Sequence, residues 1–222
     1  MVLAYDEAAH LGAAVAEIRE ALVGLGRSFE IIVVDDGSAD GTSEIADALA
    51  AADASIRAVH HRTNLGLGGG YRTGFKEARG DFVTFFPADG QFPPSVIGDF
   101  VAAAAHADLV LGYVNDRRER PVVARALSTA ERLLYLALFG PMPRFQGILM
   151  FRRELLERTA LTSEGRGWAV LVELVIRSVR AGCRTASVPT PLRPRAAGLS
   201  KVNNWRTIRS NLAQVLELRA RL

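Results

Sequence analysis

Two acidic strand ends carry the chemistry that this sequence offers. The first lies in Ile31-Ile32-Val33-Val34-Asp35-Asp36-Gly37-Ser38-Ala39-Asp40-Gly41-Thr42. Four β-branched apolar residues without alternation read as a strand covered on both faces, as in a parallel sheet. The strand stops on two carboxylates and a Gly-Ser turn, at the edge where open α/β sheets bind ligands. Paired acids there suit ribose hydroxyls, base N–H groups or a metal ion. A turn that caps the following helix is the plainer reading of Asp40-Gly41-Thr42 alone. The second lies in Phe85-Phe86-Pro87-Ala88-Asp89-Gly90-Gln91-Phe92-Pro93-Pro94. Residues i and i+2 of an extended segment point to one side, so Asp89 and Gln91 are expected to offer a carboxylate and an amide oxygen to one hard cation, Mg²⁺ or Mn²⁺. A polar turn closed by Pro93-Pro94 is the competing reading. A cation held by one or two protein oxygens completes its shell with substrate phosphates. Together the two ends point to a nucleoside diphosphate attached to something else.

The elements that must position these residues alternate through the first half. Met1 to Ala4 reads as the end of a strand that begins abruptly, as though an upstream portion were missing. Ala8 to Leu25 reads as a helix with Leu11, Val15, Ile18 and Leu22 on one face. Strand Glu30–Asp35, helix Thr42–Ala51 and strand Ile56–His60 follow, with His60-His61 expected at a solvated edge. Asn64 to Gly70 is expected to be a glycine-rich loop leading into a helix that ends near Arg79-Gly80. Phe82 to Phe86 reads as one strand, Ser95 to Ala105 as a helix and Asp108 to Leu111 as a strand. This alternation predicts βαβ crossovers and an α/β fold with a mainly parallel central sheet. After Gly112 come a charged loop, Asn115 to Arg120, and a helix, Ala124 to Phe139, with a broad apolar surface. A short segment near Ile148–Phe151, helices Arg153–Thr159 and Trp168–Ala181, and a loop-rich stretch marked by Pro189, Pro191 and Pro194 complete the second half with a last amphipathic helix, Asn204 to Leu222. One domain is expected over 1–222, with a nucleotide-binding half at 1–112 and an acceptor-facing half at 113–222.

Composition removes several classes of function. Hydrophobic residues at 49% and charged residues at 23% describe an ordinary globular chain of 222 residues, long enough to bury a core. The charge of +3 is carried almost wholly by Arg, Lys76 and Lys201 being the only lysines, and no basic stripe is interleaved with aromatics. Nucleic-acid binding is therefore not expected. Cys183 is the single cysteine, which rules out an internal disulfide and fits a reducing compartment. The four histidines have no metal-ligand spacing with it. No signal peptide and no membrane-spanning apolar run are evident, so a cytoplasmic location is expected, at the inner face of a membrane if the partner is a lipid.

The ordered motifs resemble family 2 glycosyltransferases, closest to the dolichyl-phosphate mannosyltransferase-like branch. Ala4-Tyr5-Asp6-Glu7 resembles the family's Pro-Ala-Tyr-Asn-Glu, and Val33 to Thr42 matches its Val-Val-Asp-Asp-Gly-Ser-x-Asp-Gly-Thr block. Asn64-Leu65-Gly66-Leu67-Gly68 with Ala78-Arg79-Gly80-Asp81, Asp89-Gly90-Gln91, Gln146-Gly147 with Phe151-Arg152-Arg153, and Gly198-Leu199-Ser200-Lys201 resemble the rest in order. The resemblance implies the nucleotide-sugar-binding GT-A, Rossmann-like fold. It implies that Ala4, Tyr5, Glu7, Asp35, Asp36, Ala88 and Asp89 bind the nucleotide sugar, and that Asp89 and Gln91 hold the metal. Asp89, Arg117 and Arg125 would be catalytic, and Ser128, Arg195, Ser200 and Lys201 would meet the diphosphate or the acceptor phosphate. A solvated basic face is the alternative for the last six of these positions outside Asp89. Three residues depart from the family pattern: Pro87 stands where an Asp is usual, Leu3 replaces Pro and Asp6 replaces Asn.

The implied reaction is inverting transfer of a sugar from a UDP- or GDP-sugar to a polyprenyl phosphate, dolichyl or undecaprenyl. Such an acceptor needs no general base, because a phosphate monoester loses its second proton near pH 6. A lipid acceptor also asks for a membrane-facing surface. Leu133, Leu134, Leu136, Leu138 and Phe139 provide apolar area, while the last helix is read first as packing on the protein. Two other readings stand beside this one: a nucleotide-sugar-binding module that has lost catalysis, suggested by Pro87, and a transferase acting on a glycan hydroxyl.

Overall fold

The computed structural model describes residues 1–114, 122–145, 147–193 and 205–222. The first half runs β1 (Val2–Ala4), α1 (Ala8–Gly24), β2 (Ile31–Asp35), α2 (Thr42–Ala52), β3 (Ile56–His60), α3 (Gly66–Glu77), β4 (Phe82–Thr84), β5 (Phe86–Pro87), α4 (Val96–Ala104) and β6 (Leu109–Tyr113). The second adds α5 (Val122–Phe139), β7 (Leu149–Arg152), α6 (Glu154–Arg158), α7 (Ala169–Arg180), β8 (Thr185–Pro189) and α8 (Trp205–Arg221). Four parallel strands in the order β3-β2-β1-β5 form one sheet, and β4-β7-β6-β8 form a second, mixed one. The molecule is thus α/β, with β2 buried at every position, as its unbroken apolar run requires.

Three local expectations are corrected. Phe82 to Phe86 is not one strand. Val83 pairs antiparallel with Phe151, whereas Phe86 pairs parallel with Val2, so the chain changes sheets at Phe85. The stretch is apolar except for Thr84, so its residue types carry no mark of the crossing. Phe85 is buried there, with its ring edge-on to Tyr71 at 4.7 Å. The stretch containing Pro189 includes a strand, β8, at the edge of the second sheet, where a missing N–H is tolerated.

The third correction concerns Gly66 to Gly70, which form the first turns of α3 rather than a loop. Each glycine inside a helix costs up to about 1 kcal/mol relative to alanine. Packing explains why they are there. A Cβ on Gly68 would stand 2.0 Å from the Gly165 carbonyl oxygen, and the Gly68 amide donates to Arg166 O at 2.9 Å. The helix therefore lies with its backbone directly on the segment that leads into α7. Arg72 of α3 adds bonds to Ser163 O and Gly165 O, at 3.2 and 3.0 Å.

Candidate active site

A cleft of about 600 Å³ opens at the carboxyl ends of β1, β2 and β5. Strand order fixes what meets there. With β1 between β2 and β5, Ala4 is opposite Asp35 and Leu3 is opposite Pro87, so the residues that follow these strands emerge side by side. Ala4, Tyr5, Glu7, Asp36, Ala88 and Asp89 all line the cleft, as does Pro87. A cavity of about 650 Å³ at the amino ends of the same strands, lined by Ile18, Leu22, Phe86 and Met150, lies away from these carboxylates. The carboxyl-end cleft is the one that the sheet's geometry favours for a ligand.

The Asp35-Asp36 pair divides its work. Asp36 lines the cleft; Asp35, 1% exposed, does not. Asp35 turns into the loop behind β2. Its Oδ2 accepts from Ser43 Oγ at 2.5 Å and lies 3.1 Å from His60 Nδ1, while Oδ1 accepts from Ser38 N at 3.2 Å. Burial raises its pKa, but these bonds, led by those to Ser38 and Ser43, outweigh it and hold the group below its usual value. Asp35 thus serves the loop, correcting the expectation that it completes the base and ribose pocket. Asp36 accepts from the amides of Leu65 and Gly66, at 2.7 and 2.8 Å, and sits 2.7 Å from His61 Nδ1. A carboxylate there complements the positive end of α3. It has about four lone-pair sites, so one remains for a ligand. His61 also reaches Thr73 Oγ1 at 2.8 Å. The two histidines orient the two acids, and His61 is not at a solvated edge.

The remaining residues of the matching block fasten the turn after β1. Ser38 Oγ accepts from Asp6 N, Thr42 Oγ1 from Glu7 N and Asp40 Oδ2 from Ala8 N, at 2.9, 2.9 and 3.0 Å. Asp6 Oδ1 in turn accepts from Ala39 N. Asp6 has φ +49°, a left-handed conformation that Asp and Asn tolerate better than most residues. The turn presents Tyr5 and Glu7 to the cleft.

At the other tip, Ala88 N donates to Leu3 O, which sets Asp89 at the cleft, and Gln91 N donates back to Asp89 Oδ1 at 3.1 Å. β5 ends at Pro87 and Gly90 is left-handed, with φ +67°, so the extended geometry expected to aim Asp89 and Gln91 together does not continue. Gln91 is not among the cleft residues; its carbonyl accepts from Arg193 N. Among the described residues, no three His, Cys, Asp or Glu side chains come together as a metal cage. The donor set still suits a hard cation that takes most of its oxygens from a diphosphate, since one carboxylate at the cleft is enough to anchor it.

Arg117, Arg195, Ser200, Lys201 and Gln146 lie outside the described residues, and Arg125 and Ser128 lie on α5 outside its described side chains. The structure instead brings Arg166, Gly167 and Trp168, and Ser210, Asn211 and Gln214 of α8, to the cleft. The spacing of Ser210 and Gln214, four apart on a helix, was the available signal of a polar face. Glu173, fully buried in α7, anchors the approach to Arg166. It accepts from Thr162 N, Thr162 Oγ1, Ser163 N and Arg177 Nε at 2.8–3.0 Å. Burial raises its pKa, but these bonds prevail and hold it low. α8 packs on α7, with Leu218 against Val172 and Ile176. No helix among the described residues is long and apolar enough to cross a membrane.

Comparison with known proteins gives this architecture its place. Residues 1–159 match the family model described as glycosyl transferase family 2. Undecaprenyl-phosphate mannosyltransferase of Micrococcus luteus is 30% identical, over 90% of this chain and 84% of its own length. Polyprenol monophosphomannose synthase of Mycolicibacterium smegmatis is 35% identical, over 86% of this chain and 77% of its own. Among solved structures, glucosyl-3-phosphoglycerate synthase of Mycobacterium tuberculosis, in complex with Mn²⁺, UDP and phosphoglyceric acid, superposes with a TM-score of 0.69 and 23% identity, over 98% of this chain and 76% of that one. This likeness shows that the fold is of the GT-A kind. The family match across most of the chain, with relatives this similar, makes the protein a glycosyltransferase: it belongs to glycosyl transferase family 2.

Proposed function

We propose that the protein transfers a sugar, with inversion, from a UDP- or GDP-sugar to a polyprenyl phosphate, with Mg²⁺ or Mn²⁺. The observation that carries this reading is the convergence of Tyr5, Glu7, Asp36, Ala88 and Asp89 on one cleft in a chain whose relatives are named for polyprenyl phosphates. Tyr5, Glu7 and Asp36 hold the base and ribose, the last through its remaining lone pair. Asp89 anchors the cation, which when bound stabilises the charge that builds on the leaving diphosphate. The acceptor phosphate is already anionic at pH 7 and attacks the anomeric carbon without a general base. Arg117, Arg125, Arg195 and Lys201 then have the task of orienting two anions, with Ser128 and Ser200 as hydroxyl donors. Leu133 and Leu136 of α5 and Leu212 and Leu216 of α8 are exposed large apolar residues, suited to resting against the bilayer that carries the acceptor.

Labelled UDP- and GDP-sugars, offered with Mn²⁺ and undecaprenyl or dolichyl phosphate, test the reading. It expects a labelled lipid of inverted anomeric configuration, formed at least about 100-fold more slowly by Asp89→Asn. Product on soluble glycans alone would favour the hydroxyl-acceptor reading. Nucleotide binding without turnover on any acceptor would favour a module without catalysis, the reading that Pro87 suggests.

A further inference from the structure

Arg166 is the one cation among the described residues that line the cleft, where Glu7, Asp36 and Asp89 supply carboxylates. It comes from the far half of the chain, is exposed to solvent, and is seated beside Asp36. Its carbonyl accepts from Gly68 N at 2.9 Å, and a Cβ on Gly66 would stand 2.9 Å from its own Cβ. Gly66 is the residue whose amide holds Asp36 Oδ2. The two terminal nitrogens of Arg166 donate to Asn64 O and Asn64 Oδ1, at 2.7 and 2.5 Å, and Asn64 lines the cleft too. The fork is thus set before a ligand arrives, which lowers the ordering cost of using it. A guanidinium has five N–H donors, so the two bonds to Asn64 leave others for a ligand.

We propose that Arg166 reads the base of the donor, donating to the ring carbonyl next to the N–H that Asp36 accepts. The inference rests on the donor-site reading above and adds the residue that selects the base. Location favours the base over the diphosphate. β1 separates β2 from β5, so the two acidic tips stand about 10 Å apart. Arg166 is anchored on residues 64–68, which surround Asp36 at the β2 tip, whereas the cation and its diphosphate belong to Asp89 at the β5 tip. Uracil and guanine both carry a ring N–H beside a carbonyl oxygen, one donor for Asp36 and one acceptor for Arg166. Cytosine and adenine carry an amino group where that carbonyl would be, and a bare ring nitrogen beside it. Donor then faces donor and lone pair faces carboxylate, so both polar pairs go unmade.

Calorimetric titration of the full chain in Mn²⁺ with UDP, GDP, CDP and ADP tests it, by competition where direct binding is weak. The parent should bind UDP or GDP at least about tenfold more tightly than CDP and ADP, about 1.4 kcal/mol. Arg166→Met should lose about that factor for the preferred nucleotide and leave CDP and ADP unchanged, since neither offers Arg166 a carbonyl. Arg166→Gln keeps a donor for the Asn64 carbonyl but is too short to reach a base as well. It should show the same selective loss, so a folding defect in the methionine variant would not hide the result. Equal weakening of all four nucleotides, the mark of a phosphate contact or a disturbed Asn64 loop, would overturn the proposal. So would undiminished affinity for the preferred nucleotide, or a parent that does not discriminate among the four. A parent that binds none of them would overturn the donor-site reading itself, and this inference with it.

Discussion

Replacing Gly68 with alanine tests whether the glycines of α3 exist for backbone contact. In a free helix the change is favourable, by about 0.5–1 kcal/mol. Here the new Cβ would stand 2.0 Å from Gly165 O and 2.8 Å from Gly167 O, and the first gap must open beyond 3.0 Å. Three bonds resist the opening: Gly68 N to Arg166 O, and Arg72 to Ser163 O and Gly165 O. Overpacking of this kind costs about 1–3 kcal/mol, and losing the Gly68–Arg166 bond adds about 1 kcal/mol. Set against the helical gain, the net loss is about 2 kcal/mol, a fall in melting temperature on the order of 4–8 °C for a chain of this size. Gly12, inside α1 with nothing within 4 Å of its Cβ position, is the internal control. Gly12→Ala should raise the melting temperature by roughly 1–4 °C. Differential scanning calorimetry of both variants reads the two signs directly. If Gly68→Ala melted at or above the parent, the close packing of α3 on residues 165–167 would be refuted.

Two further perturbations address charge and metal. The hydrogen bond to Asp35 is the main reason the His60 pKa lies above its ordinary 6.5, so the stability this pair contributes is complete below pH 6.5 and is lost as pH rises through the raised value. The difference in urea midpoint between the parent and His60→Gln should therefore shrink between pH 6 and pH 8.5; an unchanged difference would contradict the assignment. Pro87→Asp adds a second carboxylate to the cleft, two residues from Asp89. Mn²⁺ affinity in the presence of nucleotide, measured by titration, should then rise on the order of tenfold, and no rise would mean that position 87 does not face the cation.

Much of the architecture was legible because the signals were strong and local. The apolar run ending at Asp35 forced a buried parallel strand, and helical periodicity located α1 within one residue. The failures share a cause. Gly66 to Gly70 carry the composition of a loop, and their helical state depends on a backbone surface about a hundred residues away. The crossing at Phe85 leaves no trace in the residue types of an almost wholly apolar stretch. Within the site, the order of the strands brought Asp36 and Asp89 to one cleft, but which of two adjacent acids would face it depended on Ser38, Ser43 and His60. A left-handed Gly90 likewise undid the pairing of Asp89 with Gln91. The wall from α8 was missed because amides on an amphipathic helix read as ordinary surface.

The passage of residues 82–87 from one sheet to the other bears on how the molecule comes apart. Severing the chain after Gly112 would strip β4 of β7, and β6 of both β7 and β8. The amino-terminal fragment would then display three newly bared strand edges with unsatisfied amides and carbonyls, a template for sticking to other copies. The floor beneath Asp89 is thus stitched to distant sequence, and the cleft cannot be harvested as a portable amino-terminal piece.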